Sequence, residues 1–125
     1  MVALGLPISV TLPIKIESAL NLREHWRTKA NRNSSHRSAA WFGLLDVFGR
    51  WNGNHWPLNV TLTRIAPREL DDDNLAGGFK SVRDGVADWL GIDDRDMRVR
   101  WVYAQERGAV KQYAAVVEIA AREQT

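Results

Sequence analysis

The sequence contains no cysteine in its 125 residues. Disulfide bonds, thiolate zinc sites and cysteine nucleophiles are therefore excluded together. No apolar run is long enough to span a membrane, and the first ten residues lack the basic start of a signal peptide. We therefore expect a cytoplasmic protein with no membrane partner. Residues 1–125 should form one domain, large enough for a core without covalent cross-links.

Acidic residues are scarce over most of the chain. Lys and Arg number 17 against 15 Asp and Glu, yet eight of the nine aspartates lie between Asp71 and Asp96. Like charges held this close repel one another unless a cation offsets them. Dense carboxylates are the ligands that a hard divalent metal prefers, and a basic body suits a phosphate backbone. This combination is typical of a metal-dependent enzyme that hydrolyses nucleic acid.

Apolar periodicity and turn residues predict six elements in the order β-α-β-α-β-β. This order indicates an α+β (or α/β) fold with a single mixed β-sheet and two main helices. The first helix should face the core with Ala39, Phe42, Leu45 and either Val47 or Phe48. Gly91 should cap the second helix. The predicted elements are a strand over 8–16, a helix from Ser34 or Ser35 to about Gly49, a strand over 58–65, a helix from the acidic segment to Leu90, and strands over 97–105 and 111–121.

The polar stretch from Ser18 to His36 is predicted to be a loop. It carries one acid, Glu24, and a set of cations that continues just past its end. Such cations contact phosphates in nucleic-acid-binding proteins, although a solvated loop is the simpler alternative. Trp26 could stack on an exposed base, but a core or interface position is the commoner use of tryptophan. The candidate DNA-binding residues are Arg23, Arg27, Lys29, Arg32 and Arg37.

A helical projection of the acidic helix separates its apolar and charged residues. Asp73, Lys80 and Asp84 lie along one face, opposite the apolar stripe. Gly77 and Gly78 fall inside this helix, where each costs about 1 kcal/mol relative to alanine, so we expect a ligand or a second backbone to approach closely there. The stripe predicted to be buried consists of Leu75, Phe79, Val82, Val86, Trp89 and Leu90.

Simpler structural roles compete for these charges. Asp71 or Asp72 could cap the helix N-terminus, where acids also interact favourably with the helix dipole. A salt bridge to Asp84, four residues on, explains Lys80 as well as a catalytic role does. A cap uses one acid, however, and not three in succession beside a separate acidic pair further along the chain.

The chain resembles the RusA family of Holliday junction resolvases, which are small endodeoxyribonucleases often carried by phages and prophages. The resemblance lies in the elements Asp71-x-Asp73-Asn74, Lys80 and Asp93-Asp94. The resemblance, which spans most of the chain, implies a homodimer that nicks opposed strands of a four-way DNA junction symmetrically. It implies catalytic roles for Asp71, Asp73, Asp94 and Lys80, with the three aspartates holding Mg²⁺, or Mn²⁺ in its place. The family pattern has two residues between the asparagine and the lysine. Here there are five, which moves Lys80 by about 4.5 Å along a helix.

Two other classes of protein remain open. One is a protein of the same fold that binds branched DNA without cleaving it, and a nuclease assay with Mg²⁺ separates it from a resolvase. The other is a structural domain whose acids serve only as caps and salt bridges, which predicts no Mg²⁺ binding. For a dimer, Trp51, Trp56 and Trp101 are candidate interface residues, since tryptophan is a common hot-spot residue.

Overall fold

The computed structural model describes residues 5–18, 26–53 and 56–122. In chain order its elements are β1 (Ile8–Leu12), α1 (Trp26–Phe48), β2 (Leu58–Ala66), α2 (Asp72–Gly78), α3 (Lys80–Leu90), β3 (Val99–Arg107) and β4 (Ala114–Ala121). The strands form one four-stranded mixed sheet in the order β1-β4-β2-β3. The predicted α+β class with a single mixed sheet is therefore confirmed.

The sheet is mixed because β3 runs parallel to β2, with Val99 opposite Leu58. β4 lies antiparallel to β2 on its other side, with Ile119 opposite Val60, and β1 pairs antiparallel with the far edge of β4. Neighbouring parallel strands need a long crossover connection, and the segment from residue 67 to 98, with α2 and α3, provides it. The acidic segment is therefore this crossover.

Alternate residues of the two central strands point into one core. Leu62 on β2 and Val117 on β4 are fully buried, as is Leu44 on α1. Side chains from α1, α3 and β1 join the same cluster, so both long helices contribute to one core. Burying one such aliphatic side chain contributes about 2 kcal/mol. In the described part of the chain, no helix has both the length and the apolar character needed to cross a membrane.

Helices α1 and α3 approach each other closely at Gly85. A Cβ atom there would lie 2.2 Å from the carbonyl oxygen of Arg37 and 2.8 Å from the Cβ of Ala40. Glycine is therefore needed at this crossing. Beside it, Arg37 Nε and Nη2 donate to the two carboxylate oxygens of Asp88 at 2.6 and 2.8 Å. A close backbone contact and a bidentate ion pair thus join the two helices.

Helix α1 begins at Trp26, so the predicted loop is wrong from residue 26 onward. Its first turns are polar and mostly exposed, and they lack the apolar period that marks a packed helix. Trp26 is 67% exposed, which excludes a core position. The predicted inward face is correct only in part. Leu45 and Phe48 pack against the core, but Phe42 is 59% exposed and the fully buried residues are Ala40 and Leu44. Apolar residues surround the second half of α1, so periodicity alone does not define its buried face.

The acidic helix, predicted to be continuous, is divided into α2 and α3 at the buried Phe79. A Cβ on Gly78 would lie 2.8 Å from the carbonyl oxygen of Glu17, so the expected close approach of a second backbone is found there. Gly77 has no described atom within 4 Å of such a Cβ, and this explanation does not extend to it. The six residues of the predicted apolar stripe are all buried, and Gly91 caps α3 with φ of 72°, as predicted.

The strand boundaries differ from the predicted ones by a few residues. β1 ends at Leu12 because Pro13 has no N–H to continue the ladder, although Ile16 is still buried beyond it. β3 and β4 begin at Val99 and Ala114, slightly after their predicted starts. Alternation marks the strands well, but their ends depend on pairing with neighbours.

The tryptophans predicted for a dimer interface have packing partners within the chain. Trp51 makes an edge-to-face contact with Trp56, at 6.1 Å between ring centroids, and a tilted contact with Trp89 at 5.5 Å. The Trp101 indole donates to the carbonyl oxygen of Asp94 at 3.1 Å. Packing against the core accounts for these rings without an interface.

Candidate functional site

Asp71 is the N-cap of α2, so the capping role is observed for this residue. Its two carboxylate oxygens accept from the backbone N–H of Asn74 at 2.8 Å and from the side-chain amide of Asn74 at 2.9 Å. Ser18 Oγ in turn donates to Asn74 Oδ1 at 2.5 Å. A chain of three side chains therefore fixes the direction of the Asp71 carboxylate. Each carboxylate oxygen keeps a further lone pair for another donor or a cation.

Asp72 and Asp73 follow in the first turn of α2, and both are exposed. Their negative charge interacts favourably with the positive end of the helix dipole. The three consecutive carboxylates at this end of the crossover thus comprise one that is held by neighbours and two that solvent reaches freely.

Lys80, Asp84 and Asp94 are brought together at the start of α3. Lys80 Nζ lies 2.9 Å from Asp84 Oδ1 and 3.3 Å from Asp94 Oδ2, so the predicted i,i+4 salt bridge is formed and the loop after α3 joins it. Arg83 adds a second cation, with its Nε 3.5 Å from Asp94 Oδ2. Arg83 also donates to the Asp94 carbonyl oxygen at 2.7 Å and to the Tyr103 hydroxyl at 3.0 Å.

These contacts shift the pKa values of two members of the cluster. The hydrogen bond to Asp84 raises the pKa of Lys80, against the opposing effect of burial, and Asp94 adds to the rise. Burial alone would raise the pKa of Asp94, but the hydrogen bond and charge of Lys80, with the charge of Arg83, lower it below its usual value. Both groups are therefore charged at neutral pH.

Alternate residues of β3 hold the two ends of the acidic segment. The Gln105 side chain accepts from the Leu70 N–H at 2.9 Å and donates to the Leu70 carbonyl oxygen at 2.7 Å, directly before the acidic run. At the other end, the Trp101 indole N–H donates to the Asp94 carbonyl oxygen, and Tyr103 lies between Trp101 and Gln105 on the strand. The sequence analysis did not predict this supporting role, and it named Trp101 only as a candidate interface residue. The signal for these residues is the run of three aromatic or amide side chains on one face of a strand.

Four carboxylates line one cavity of about 240 Å³ beside α3. Arg37 also lines it and neutralises Asp88 through the ion pair between the helices. Lys80 in turn contacts two of the other carboxylates. The acidic residues around this cavity are Asp84, Asp88, Asp93 and Asp94.

Aspartate oxygens have the right chemistry for Mg²⁺, but their placement does not form a three-ligand set. Across residues 5–18, 26–53 and 56–122, no group of three carboxylate or imidazole side chains is placed to hold one metal ion. The two β3 anchors are four residues apart, which corresponds to about 13 Å along a strand. The backbones before Asp71 and at Asp94 are held at these separate points. As placed, Asp71, Asp73 and Asp94 therefore do not fit a single magnesium site.

The predicted DNA-binding cations fall into three groups. Arg23 lies outside the described residues. Arg27, Lys29 and Arg32 lie on the first turns of α1, so a helix and not a loop carries them. Arg37 is engaged in the ion pair that joins α1 to α3, which raises its pKa through the hydrogen bond to the partner carboxylate.

Comparison with known protein families finds no family that matches this chain. The chain is similar to an uncharacterized protein of Xylella fastidiosa (strain Temecula1 / ATCC 700964), with 42% identity over 97 residues. The match covers 70% of this chain and 60% of the Xylella protein, so the chain spans less than two thirds of that relative's length.

Proposed function

We propose that this chain is a Mg²⁺-dependent endodeoxyribonuclease that acts on branched DNA in the cytoplasm and resolves four-way junctions by paired nicks. One observation carries the proposal. A chain with net charge +2 places eight of its nine aspartates in the crossover between two parallel strands, and four of them line a single cavity there. The similarity of the Asp71-x-Asp73-Asn74 motif, Lys80 and Asp94 to the RusA family suggests the substrate. Mn²⁺ is the alternative ion.

The described residues suit the binding and orientation of a phosphate backbone. Lys80 is an exposed ammonium group beside the acidic cluster, and a phosphate oxygen could accept one of its three N–H donors. Asn74 keeps Asp71 in one orientation, so this carboxylate loses little freedom on binding. The motif aspartates are not gathered around one point, and calorimetric titration with Mg²⁺ measures directly whether the chain binds the ion.

A protein that binds branched DNA without cleaving it is the second candidate. The observation that favours it is the engagement of the motif carboxylates by protein partners. Asp94 contacts Lys80 and Arg83, and Asp71 accepts twice from Asn74. These pairs stabilise the acidic crossover without a cation from solution, while the cations on α1 could still contact phosphates.

A labelled synthetic four-way junction tests the proposal, incubated with Mg²⁺, with Mn²⁺ or with a chelator. We expect paired nicks with either metal and none with the chelator. Asp73→Asn should abolish cleavage and leave binding intact or stronger, because a negative charge near the phosphates is removed. Asp72→Asn is the matched control, with the same charge change in the same exposed turn but outside the motif, and should still cleave.

Three other outcomes of the cleavage and binding experiments separate the candidate functions. Wild-type protein that binds the junction but leaves it uncut with both metals would establish the non-cleaving alternative. Near-normal cleavage by Asp73→Asn would refute the assignment of this carboxylate. Absence of both junction binding and Mg²⁺ binding would point to a structural domain.

The start of α1 is the proposed source of DNA affinity. Each phosphate contact to a duplex contributes roughly 0.9 to the slope of log affinity against log salt. Replacing Arg27, Lys29 and Arg32 by alanine should therefore lower that slope by up to about 2.7. An unchanged slope would show that this part of α1 does not contact DNA. The control removes three cations elsewhere, namely Arg50, Arg100 and Lys111.

We further propose a homodimer, since one active centre cannot nick two opposed strands symmetrically without moving. The exposed Trp41 and Phe42 on α1 are better interface candidates than the tryptophans packed within the chain. Sedimentation at micromolar concentration should give about twice the 14.2 kDa mass of one chain. A protein that stays monomeric with junction DNA bound would contradict paired nicking.

A further inference from the structure

An arginine occupies the inward face of the central strand β2. Leu58, Val60 and Leu62 precede it on that face, and Arg64 itself is only 6% exposed. Burying a charged guanidinium is strongly unfavourable unless other groups compensate the charge. Within the described part of the chain, no carboxylate forms an ion pair with Arg64.

Among residues 5–18, 26–53 and 56–122, Arg64 hydrogen-bonds to two backbone carbonyls. Its Nε donates to the carbonyl oxygen of Ile16 at 2.8 Å, and its Nη1 donates to that of Arg68 at 2.5 Å. These bonds join the segment after β1 to the segment after β2. A neutral amide could supply such donors without the cost of a buried charge. A guanidinium has five N–H donors, so a purely structural clamp explains neither the charge nor the remaining donors.

The guanidinium borders a cleft of about 520 Å³, which is within the range of small-molecule sites. Three cations and two acids line this cleft, and one acid, Glu17, is paired with Lys15 at 2.8 Å. The Lys15 ammonium also lies 4.4 Å from the centre of the Tyr113 ring, on another wall. The cleft therefore combines an excess of positive charge with an aromatic surface.

We propose that this cleft binds the phosphate group of a nucleotide or of a nucleic-acid strand, with Arg64 at its base and Lys15 and Arg68 at its rim. A guanidinium fork matches two phosphate oxygens, so a bound phosphate gives the buried charge an ion-pair partner, where the described residues supply only the charge of Glu17, with which Arg64 forms no ion pair. Tyr113 offers a surface on which a base can stack. Leu70, which also lines the cleft, directly precedes Asp71, so the bound phosphate adjoins the acidic segment.

The first test titrates the protein with inorganic phosphate and with thymidine 5′-monophosphate, with chloride at equal ionic strength as the reference. We expect saturable binding that also raises the thermal unfolding temperature. The exposed-rim variant Lys15→Met/Arg68→Gln should bind about tenfold more weakly, because hydrogen bonds to charged groups are lost. Arg100→Gln/Lys111→Met removes the same charge elsewhere and should bind like wild type.

Two results would overturn the inference: binding no stronger than the chloride reference for both probes, or equal affinity in the rim variant and wild type. Arg64→Met should abolish phosphate binding if circular dichroism shows that it folds. Because Arg64 also joins two segments, an unfolded variant is the expected effect of losing the clamp. The rim variants, which leave both carbonyl contacts of Arg64 in place, then decide the question.

A second test identifies the source of the phosphate and rests on the proposed function. A strand in the cleft predicts that inorganic phosphate competes with labelled junction DNA and that the rim variant loses about tenfold in DNA affinity. A free nucleotide predicts that the monophosphate binds more tightly than inorganic phosphate while DNA affinity is unchanged. Either pattern supports the site. A protein that binds phosphate here but never cuts DNA would refute the proposed function and leave this inference standing.

Discussion

Replacing Gln105 by methionine should loosen the entry to the acidic segment. Methionine has a similar length but cannot form the two hydrogen bonds, at 2.9 and 2.7 Å, that hold both backbone groups of Leu70. Each bond contributes about 1 kcal/mol, and leaving the half-buried Leu70 groups without a partner adds to the loss, so we expect a destabilisation of about 2 kcal/mol. At about 4 °C per kcal/mol, the thermal midpoint should fall by about 8 °C.

Urea unfolding followed by tryptophan fluorescence measures this change. Glu106→Met is the matched control, since Glu106 is the next residue on β3 and is exposed, and its replacement should change stability by less than about 0.5 kcal/mol. Amide hydrogen exchange at Leu70 should also become faster than the global loss of stability requires. If Gln105→Met unfolds at the wild-type urea concentration, the contact does not hold the segment and our account of its support is wrong.

Two further predictions concern stability. Gly85→Ala should destabilise the protein by about 1–3 kcal/mol in urea unfolding, because the new methyl group would lie 2.2 Å from the Arg37 carbonyl oxygen. The control Gly77→Ala, in open space on α2, should be neutral or stabilising. A larger loss of stability in Gly77→Ala than in Gly85→Ala would contradict the described helix contact. Burial, followed by the charge of Arg32, lowers the pKa of His36, so the unfolded state binds its proton first. The stability contributed by neutral His36 is complete above pH 6.5 and is lost as the pH falls towards the folded-state pKa. His36→Gln should therefore reduce the change in the free energy of unfolding between pH 7 and pH 5. An unchanged slope of that free energy against pH would refute this role of His36.

The parts of the fold that depend on local pattern were predictable from the sequence. The apolar stripe of the acidic helix and the Gly91 cap follow from residues within a few positions of one another, and both were found. The division at Phe79 was not predicted. The partner of the close contact beside it could not be, because the Glu17 backbone that packs at Gly78 is 61 positions away in the chain. The start of α1 was missed for a different reason, since a solvated helix has no buried face to produce a period.

The candidate site also combines local contacts, which the sequence predicts, with contacts from distant segments, which it does not. The salt bridge from Lys80 to Asp84 is a contact at i,i+4 and was among the predicted alternatives. The partners that orient the motif come from distant segments, with Ser18 56 residues from Asn74 and Gln105 35 residues from Leu70. Sequence spacing shows which residues can share a helix face. It does not show which strand or loop the fold will place beneath them.

The position of the acidic segment within the crossover constrains how this protein can change. β3 reaches its place beside β2 only because the chain between them returns to the same end of the sheet, and that chain carries the aspartates. Deleting the segment would remove the carboxylates and would also leave β3 unable to pair in parallel with β2. Substituting single aspartates leaves the connection intact. Related chains that lose these aspartates should therefore keep a connecting segment of similar length with altered side chains. Under the proposed nuclease function, such chains would remain folded without the carboxylates that cleavage requires.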